Sequence, residues 1–230
     1  MTPSGVPDAP HTLITGGAGF IGSHLTERLL GRGERVVVID DFSTGSRANL
    51  AAVTDDPNLT VIESSVTDCE SLGSLVDESG YVFHLAAAVG VDLVVQSPIR
   101  TIETNLKATE AILEAAAPNR KPMLLPSSSE VYGKSMREGF EETDDLLIGP
   151  PTLGRWSYAC SKLMDEFLAL AFHAERQLPV IVARIFNTVG PRQTGRYGMV
   201  LPRFVEAAKA GEPLRVFGDG QQSRCFGHVA

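Results

Sequence analysis

Short apolar runs alternate with amphipathic segments along most of the chain. Residues 11–15 form one such run and end on glycines; Ile21, Leu25, Leu29 and Leu30 then recur at mostly helical spacing over residues 20–30. The pattern predicts strand, tight turn, helix. Gly31 and Gly33 stop that helix, and Val36, Val37, Val38 and Ile39 follow as an unbroken β-branched run. A strand apolar on both faces belongs inside a parallel sheet. Residues 59–62, 82–85, 123–125 and 180–183 repeat the theme at intervals long enough for crossover helices, the strongest of which span 102–117, 158–175 and 201–210. The expected architecture is α/β, a right-handed, doubly wound parallel sheet.

The texture changes after about residue 185. Residues 187–199, rich in Gly, Pro, Arg and Gln, read as a long surface loop that opens a second, smaller region. Residues 134–151 carry Glu138, Glu141, Glu142, Asp144 and Asp145 and read as a solvated loop without chemistry. At the other end, residues 1–10 hold three prolines and no Lys or Arg, so a short disordered lead is expected in place of a signal peptide.

A chain of 230 residues can bury enough surface to need no disulfide staple. With 28 acidic against 20 basic residues its net charge is −8, which repels a nucleic-acid backbone. The weakly polar stretch over 82–95 is interrupted by His84 and Asp92 and falls short of the ~18 apolar residues of a membrane span. Cys69, Cys160 and Cys225 are scattered without a CxxC pair, the usage of free thiols in a cytoplasmic protein, and the five widely spaced histidines suggest no metal site.

Gly16, Gly19 and Gly22, with Phe20 and Ile21 between them, form GxxGxxG at the junction of the first strand and helix. Missing side chains there let a pyrophosphate approach a helix N-terminus. Asp40 closes the second strand, where a carboxylate can accept hydrogen bonds from ribose hydroxyls. Asp40 and Asp41 together would repel a 2′-phosphate, which favours NAD over NADP, although Arg47 stands near enough to soften that preference. These features make the expected sheet a Rossmann-type dinucleotide domain. His84 reads as a core histidine, and the small residues Ala86, Ala87 and Ala88 leave room for a flat ligand or for close helix packing.

Three further groups fall after later strands: Ser128 with Glu130, then Tyr158, then Lys162. The i,i+4 spacing sets phenol and ammonium on one helix face. A nearby cation favours phenolate, so Lys162 is expected to lower the Tyr158 pKa from its free value of ~10 and make it a base, with Ser128 hydrogen-bonded at the same oxygen.

Taken together these motifs resemble the extended short-chain dehydrogenase/reductase family, in its nucleotide-sugar epimerase, dehydratase and decarboxylase branch, from about Thr12 to Val229. The resemblance implies a tightly held, recycled NAD, a dinucleotide domain over 11–186, the start of a substrate domain over 187–230, and a homodimer formed through helices near 99–117 and 158–175. It also implies that Asp41, Phe42, Ser43 and Gly45 line the adenosine, and that Ser65, beside Val66, stands where relatives carry an adenine-side acid. Leu85, Ala86, Ala87 and Ala88 would wall the nicotinamide half, with Asn105 in the following helix. Asn187 and Arg192 would face the sugar diphosphate, Val200, Pro202 and Phe204 the nucleotide, and Arg224 the diphosphate. Family members usually continue well past this point, so reduced turnover is expected of the chain alone.

The same resemblance frames the reaction. Tyr158 would take the proton of the sugar 4-hydroxyl as hydride leaves C4, and the 4-keto sugar then decides the outcome. A 4,6-dehydratase uses Asp-Glu where this chain has Ser129-Glu130, which weakens that branch. Epimerisation of a UDP-hexose is the leading expectation because it needs the fewest extra groups, with UDP-glucuronate decarboxylation, compatible with Glu130, as the alternative. A non-catalytic NAD sensor or scaffold is the reading from another class.

Overall fold

The computed structural model describes residues 10–88, 97–195 and 199–230, so the expected lead lies outside the described residues except for Pro10. Its strands are β1 (His11–Thr15), β2 (Val36–Asp40), β3 (Leu59–Glu63), β4 (Ser79–His84), β5 (Met123–Ser128), β6 (Val180–Ile185), β7 (Asn187–Val189) and β8 (Phe226–His228). Its helices are α1 (Phe20–Leu30), α2 (Leu72–Glu78), α3 (Pro98–Ala116), α4 (Trp156–Arg176) and α5 (Val200–Ala210). Six strands form one sheet in the order β3-β2-β1-β4-β5-β6. The pairs β1·β2, β1·β4, β2·β3 and β4·β5 are all parallel. This is the doubly wound Rossmann order, built from the middle outward in two halves.

The valine run of β2 explains the layering. Leu13, Val37 and Ile39 enter a core with Val76, Ile112, Leu113, Leu125 and Phe172, whereas Ile14, Val36 and Val38 pack with Leu29 and Leu30 of α1. Successive strand residues point to opposite faces, so the central strands are covered on both.

The chain divides into two compact units. One comprises Met1–Ala86, Lys107–Leu125 and Phe167–Val182, the other Ala87–Leu106, Pro126–Glu166 and Ala183–Ala230. Both cores above belong to the first unit. The second unit contains β7 and β8 and an aromatic stack in which Tyr132 lies 4.5 Å from Phe140.

Two expectations are corrected. The segment expected as a loop over 187–199 begins as β7, which pairs in parallel with β8 through Asn187↔Phe226, Thr188↔Gly227 and Val189↔His228; three residues are too few for a pattern, and the partner is remote in sequence. The acidic stretch is not solvated throughout. Arg137 pairs with Asp144, whose side chain is only 3% exposed, and Asp144 also accepts the Glu141 amide at 2.9 Å. One carboxylate thus ties the turn. Among the described residues, no helix is long and apolar enough to cross a membrane, and no His/Cys/Asp/Glu cluster could hold a metal.

Candidate functional site

In the first unit the β1–α1 turn is shaped by glycine. Gly16 has φ +73, and a Cβ there would lie 2.6 Å from the Ala86 nitrogen; a Cβ on Gly22 would lie 2.2 Å from the Gly16 carbonyl oxygen. Both positions must lack a side chain for the chain to close on itself. Gly19 is less confined, because a Cβ there would meet only the Gly16 oxygen, a tight approach at 3.1 Å. Gly19 is also the N-cap of α1, with no side-chain cap and no acid in the first turn, where Phe20 and Ile21 lie. Uncapped amides at the positive end of an eleven-residue helix suit a pyrophosphate.

Asp40, 7% exposed, accepts the Ala18 amide on Oδ2 and the Phe42 amide on Oδ1, each at 2.8 Å. Each carboxylate oxygen keeps a lone pair for a ribose hydroxyl. Burial pushes the Asp40 pKa up, the two amides pull it back, and Asp41 adds a smaller upward push. Asp41 accepts the Ser43 amide at 2.9 Å, and Gly45 packs so closely that a Cβ would lie 3.0 Å from Asp40 Oδ1. The residues therefore fit the nucleotide half of NAD. Val66 is buried, while the Ser65 hydroxyl donates to Asp68 at 2.7 Å, so a carboxylate stands three residues after the position that lacks one. The Leu85 and Ala86 amides donate to Thr15 O and Oγ1 at 2.9 and 3.2 Å. His84 is a satisfied core histidine, 2.8 Å from Thr15 Oγ1 through Nδ1.

In the second unit, Asn105 is wholly engaged. Its Oδ1 accepts the Ala88 amide at 2.7 Å, and its Nδ2 donates to Ser161 Oγ at 3.0 Å, so it braces the chain after Ala87 instead of offering a free amide. Ser128 ends β5, and its Oγ accepts the Glu130 amide at 3.2 Å. Tyr158 and Lys162 lie on α4 one turn apart, as the spacing requires.

The electrostatics of this group differ from expectation. Lys162 Nζ donates to Asp165 Oδ2 at 2.9 Å, with the two side chains 5% and 1% exposed. The cation meant to lower the phenol is thus matched by a carboxylate. Burial drives the Tyr158 pKa well above 10, the charges of Glu130 and Asp165 push the same way, and only the Ser128 hydrogen bond opposes them. Glu130 is itself raised by burial, with Arg155 pulling back.

For the substrate side, Asn187 Nδ2 donates to the Cys225 carbonyl at 3.1 Å, which ties β7 to the strand before which Arg224 stands. Arg224 is exposed and donates to the Ser223 carbonyl at 2.8 Å. Arg192 adopts φ 69. On α5, Pro202 is buried, Phe204 half-buried and Val200 exposed.

The sequence reading missed the pair Glu166 and Arg184. Arg184 donates to both Glu166 oxygens, through Nε at 3.0 Å and Nη2 at 2.8 Å, while Ser127 hydrogen-bonds the same carboxylate. The Arg184 guanidinium also lies 4.8 Å over the Tyr132 ring. A bidentate, mostly buried pair of this kind ties α4, the helix that carries Tyr158 and Lys162, to the end of β6. Nothing in the spacing of Glu166 and Arg184 signals it.

Known proteins resemble the chain in sequence and in fold. The chain is 45% identical over 219 residues to a UDP-N-acetyl-alpha-D-glucosaminuronate decarboxylase of Bacillus cytotoxicus, covering 95% of this chain and 67% of that protein. It is 36% identical to UDP-glucuronic acid decarboxylase 1 of Arabidopsis thaliana, covering 95% of this chain but spanning only about half, 49%, of the plant protein. Among solved structures, a UDP-N-acetylglucosamine 4-epimerase from Methanobrevibacter ruminantium, in complex with UDP-N-acetylmuramic acid, superposes with a TM-score of 0.87 at 34% identity, over 96% of this chain and 69% of that one. A family model takes in residues 12–230, nearly the whole length over which the glycine turn, the strand-end acid and the Ser, Tyr and Lys are laid out: the chain belongs to the NAD dependent epimerase/dehydratase family.

Proposed function

We propose that the chain serves NAD-dependent decarboxylation of a UDP-linked uronic acid, with Tyr158 as proton acceptor, Ser128 as its hydrogen-bond partner, Lys162 as the supporting cation and Glu130 beside the reacting carbons. NAD, when bound, accepts the C4 hydride and later returns it. Tyr158 takes the 4-hydroxyl proton, leaving a ketone at C4. The C6 carboxylate is then β to that ketone: the C5–C6 bond breaks, CO2 departs, and the electron pair is held as an enolate until C5 is reprotonated. Glu130, whose pKa is raised by burial and pulled back by Arg155, is the carboxyl group proposed to face the reacting carbons. Tyr158 is a donor in the present arrangement and becomes a base only when further positive charge offsets Glu130 and Asp165. The proposed diphosphate contacts are Asn187, Arg192 and Arg224, with Val200, Pro202 and Phe204 at the nucleotide.

The observation that carries decarboxylation above epimerisation is the 45% identity to a decarboxylase, joined to the Ser129-Glu130 pair after Ser128, which is compatible with this reaction. Epimerisation, the first expectation from sequence, remains the second reading because a 4-epimerase superposes at TM-score 0.87. We further place the protein in the cytoplasm, where Cys69, Cys160 and Cys225 stay free, as a homodimer through α3 and α4. The test is incubation with NAD and, separately, UDP-glucuronate, its N-acetylglucosamine-derived counterpart and UDP-glucose, with products identified by mass. Loss of CO2 from a uronate is expected. Isobaric conversion would transfer the assignment to epimerisation, and NAD binding without any reduced-nicotinamide absorbance would leave a binding module.

A further inference from the structure

Asp40 is not the only carboxylate at its end of the sheet. In the parallel register of β2 and β3 it sits opposite Glu63. Register partners on neighbouring strands project to the same face from backbones about 5 Å apart. Arg47 hydrogen-bonds Glu63 through Nη2 and lies with its guanidinium 4.4 Å over the Phe42 ring. Phe42 in turn gives its amide to Asp40 Oδ1 at 2.8 Å.

The turn that carries Arg47 is pinned independently of its side chain. The Ser46 amide donates to the Ala18 carbonyl at 3.0 Å, and Asn49 Nδ2 donates to the same oxygen at 2.8 Å. Arg47 is therefore anchored beside the ribose end of β2, where an arginine ordinarily accommodates a 2′-phosphate. Here its positive charge is matched by Glu63. With Asp40 and Asp41 counted, the edge as a whole stays negative.

We propose that Glu63 sets the cofactor preference of this chain by engaging Arg47, so that a free 2′-hydroxyl is accepted and a 2′-phosphate is refused; the inference rests on Asp40 being the ribose ligand. Glu63 is thus a specificity-determining residue with no part in the chemistry. Because both partners are largely exposed, 67% and 62% for the Arg47 and Glu63 side chains, its effect is a graded one.

The test is calorimetric titration of the nucleotide-stripped 230-residue chain with NAD+ and with NADP+. The native chain prefers NAD+; Glu63→Gln narrows the ratio of the two dissociation constants by about 1.5- to five-fold, through tighter NADP+ binding. The double variant Glu63→Gln/Arg47→Ala returns the ratio to its native value or beyond. A native preference left unchanged by Glu63→Gln overturns the proposal, as does a narrowing that survives in the double variant. Equal binding of both nucleotides by the native chain would instead remove the reading of Asp40. Thermal melts of each variant, expected to match the native chain because both side chains are exposed, separate these outcomes from misfolding.

Discussion

The phenol of Tyr158 is governed by burial and by two carboxylates more than by its neighbouring lysine. The sign is definite. Its folded pKa lies above the unfolded value of ~10, so between the two the unfolded chain binds fewer protons, and this group withdraws stability as pH rises through that window, while below ~10 it changes nothing. The phenolate absorbance that Tyr158→Phe removes should therefore appear only above about pH 10 in the cofactor-free chain. A midpoint below that value would show that Lys162 prevails over Asp165 after all. Ser128→Ala, which deletes the one opposing hydrogen bond, should push the midpoint higher still. The identities of Ser128, Tyr158 and Lys162 were legible from spacing, yet their electrostatics were not. Asp165 lies three residues from Lys162 and reads as an ordinary helix-face acid until its 1% exposed side chain is seen.

At the scale of elements, the β1–α1 turn concentrates the constraints. A Cβ on Gly22 would collide with backbone that has no rotamer to yield, so Gly22→Ala should cost about 1–3 kcal/mol of folding stability and sharply weaken NAD+ binding. Urea unfolding and calorimetric titration measure the two effects, and an unaffected variant would show that the turn relaxes. Gly19→Ala meets one backbone oxygen at 3.1 Å and should cost less stability than Gly22→Ala while still losing nucleotide affinity, which separates packing from binding. The longer elements were readable because apolar periodicity accumulates over several turns, as in α1, whose bounds match the expected 20–30. Short ones were not: α2 buries only Leu72 and Val76, too few to mark a period, and β7 is defined by a partner far along the chain.

For the whole molecule, the proposed homodimer has a specific signature. Met164, Phe167 and Leu170 of α4 are 53%, 63% and 53% exposed and lie along one side of that helix, and Ile99 of α3 is 74% exposed. Exposed apolar rows of this kind favour association. Phe167→Glu with Leu170→Glu should convert a dimer into a monomer in analytical ultracentrifugation with its circular dichroism unchanged, whereas a native chain that sediments as a monomer would end the proposal. Local pattern alone determined the central strands, the main helices, the glycine turn with its acid, and family resemblance, because each depends on residues close in sequence whose side chains repeat at fixed intervals. Tertiary structure alone decided which charges meet: Lys162 with Asp165, Glu166 with Arg184, Arg47 with Glu63. Whether an ionisable group is buried and what faces it depends on how a strand end, a helix face and a distant turn come to share space, and a charge is perturbed by neighbours in space whatever their order along the chain.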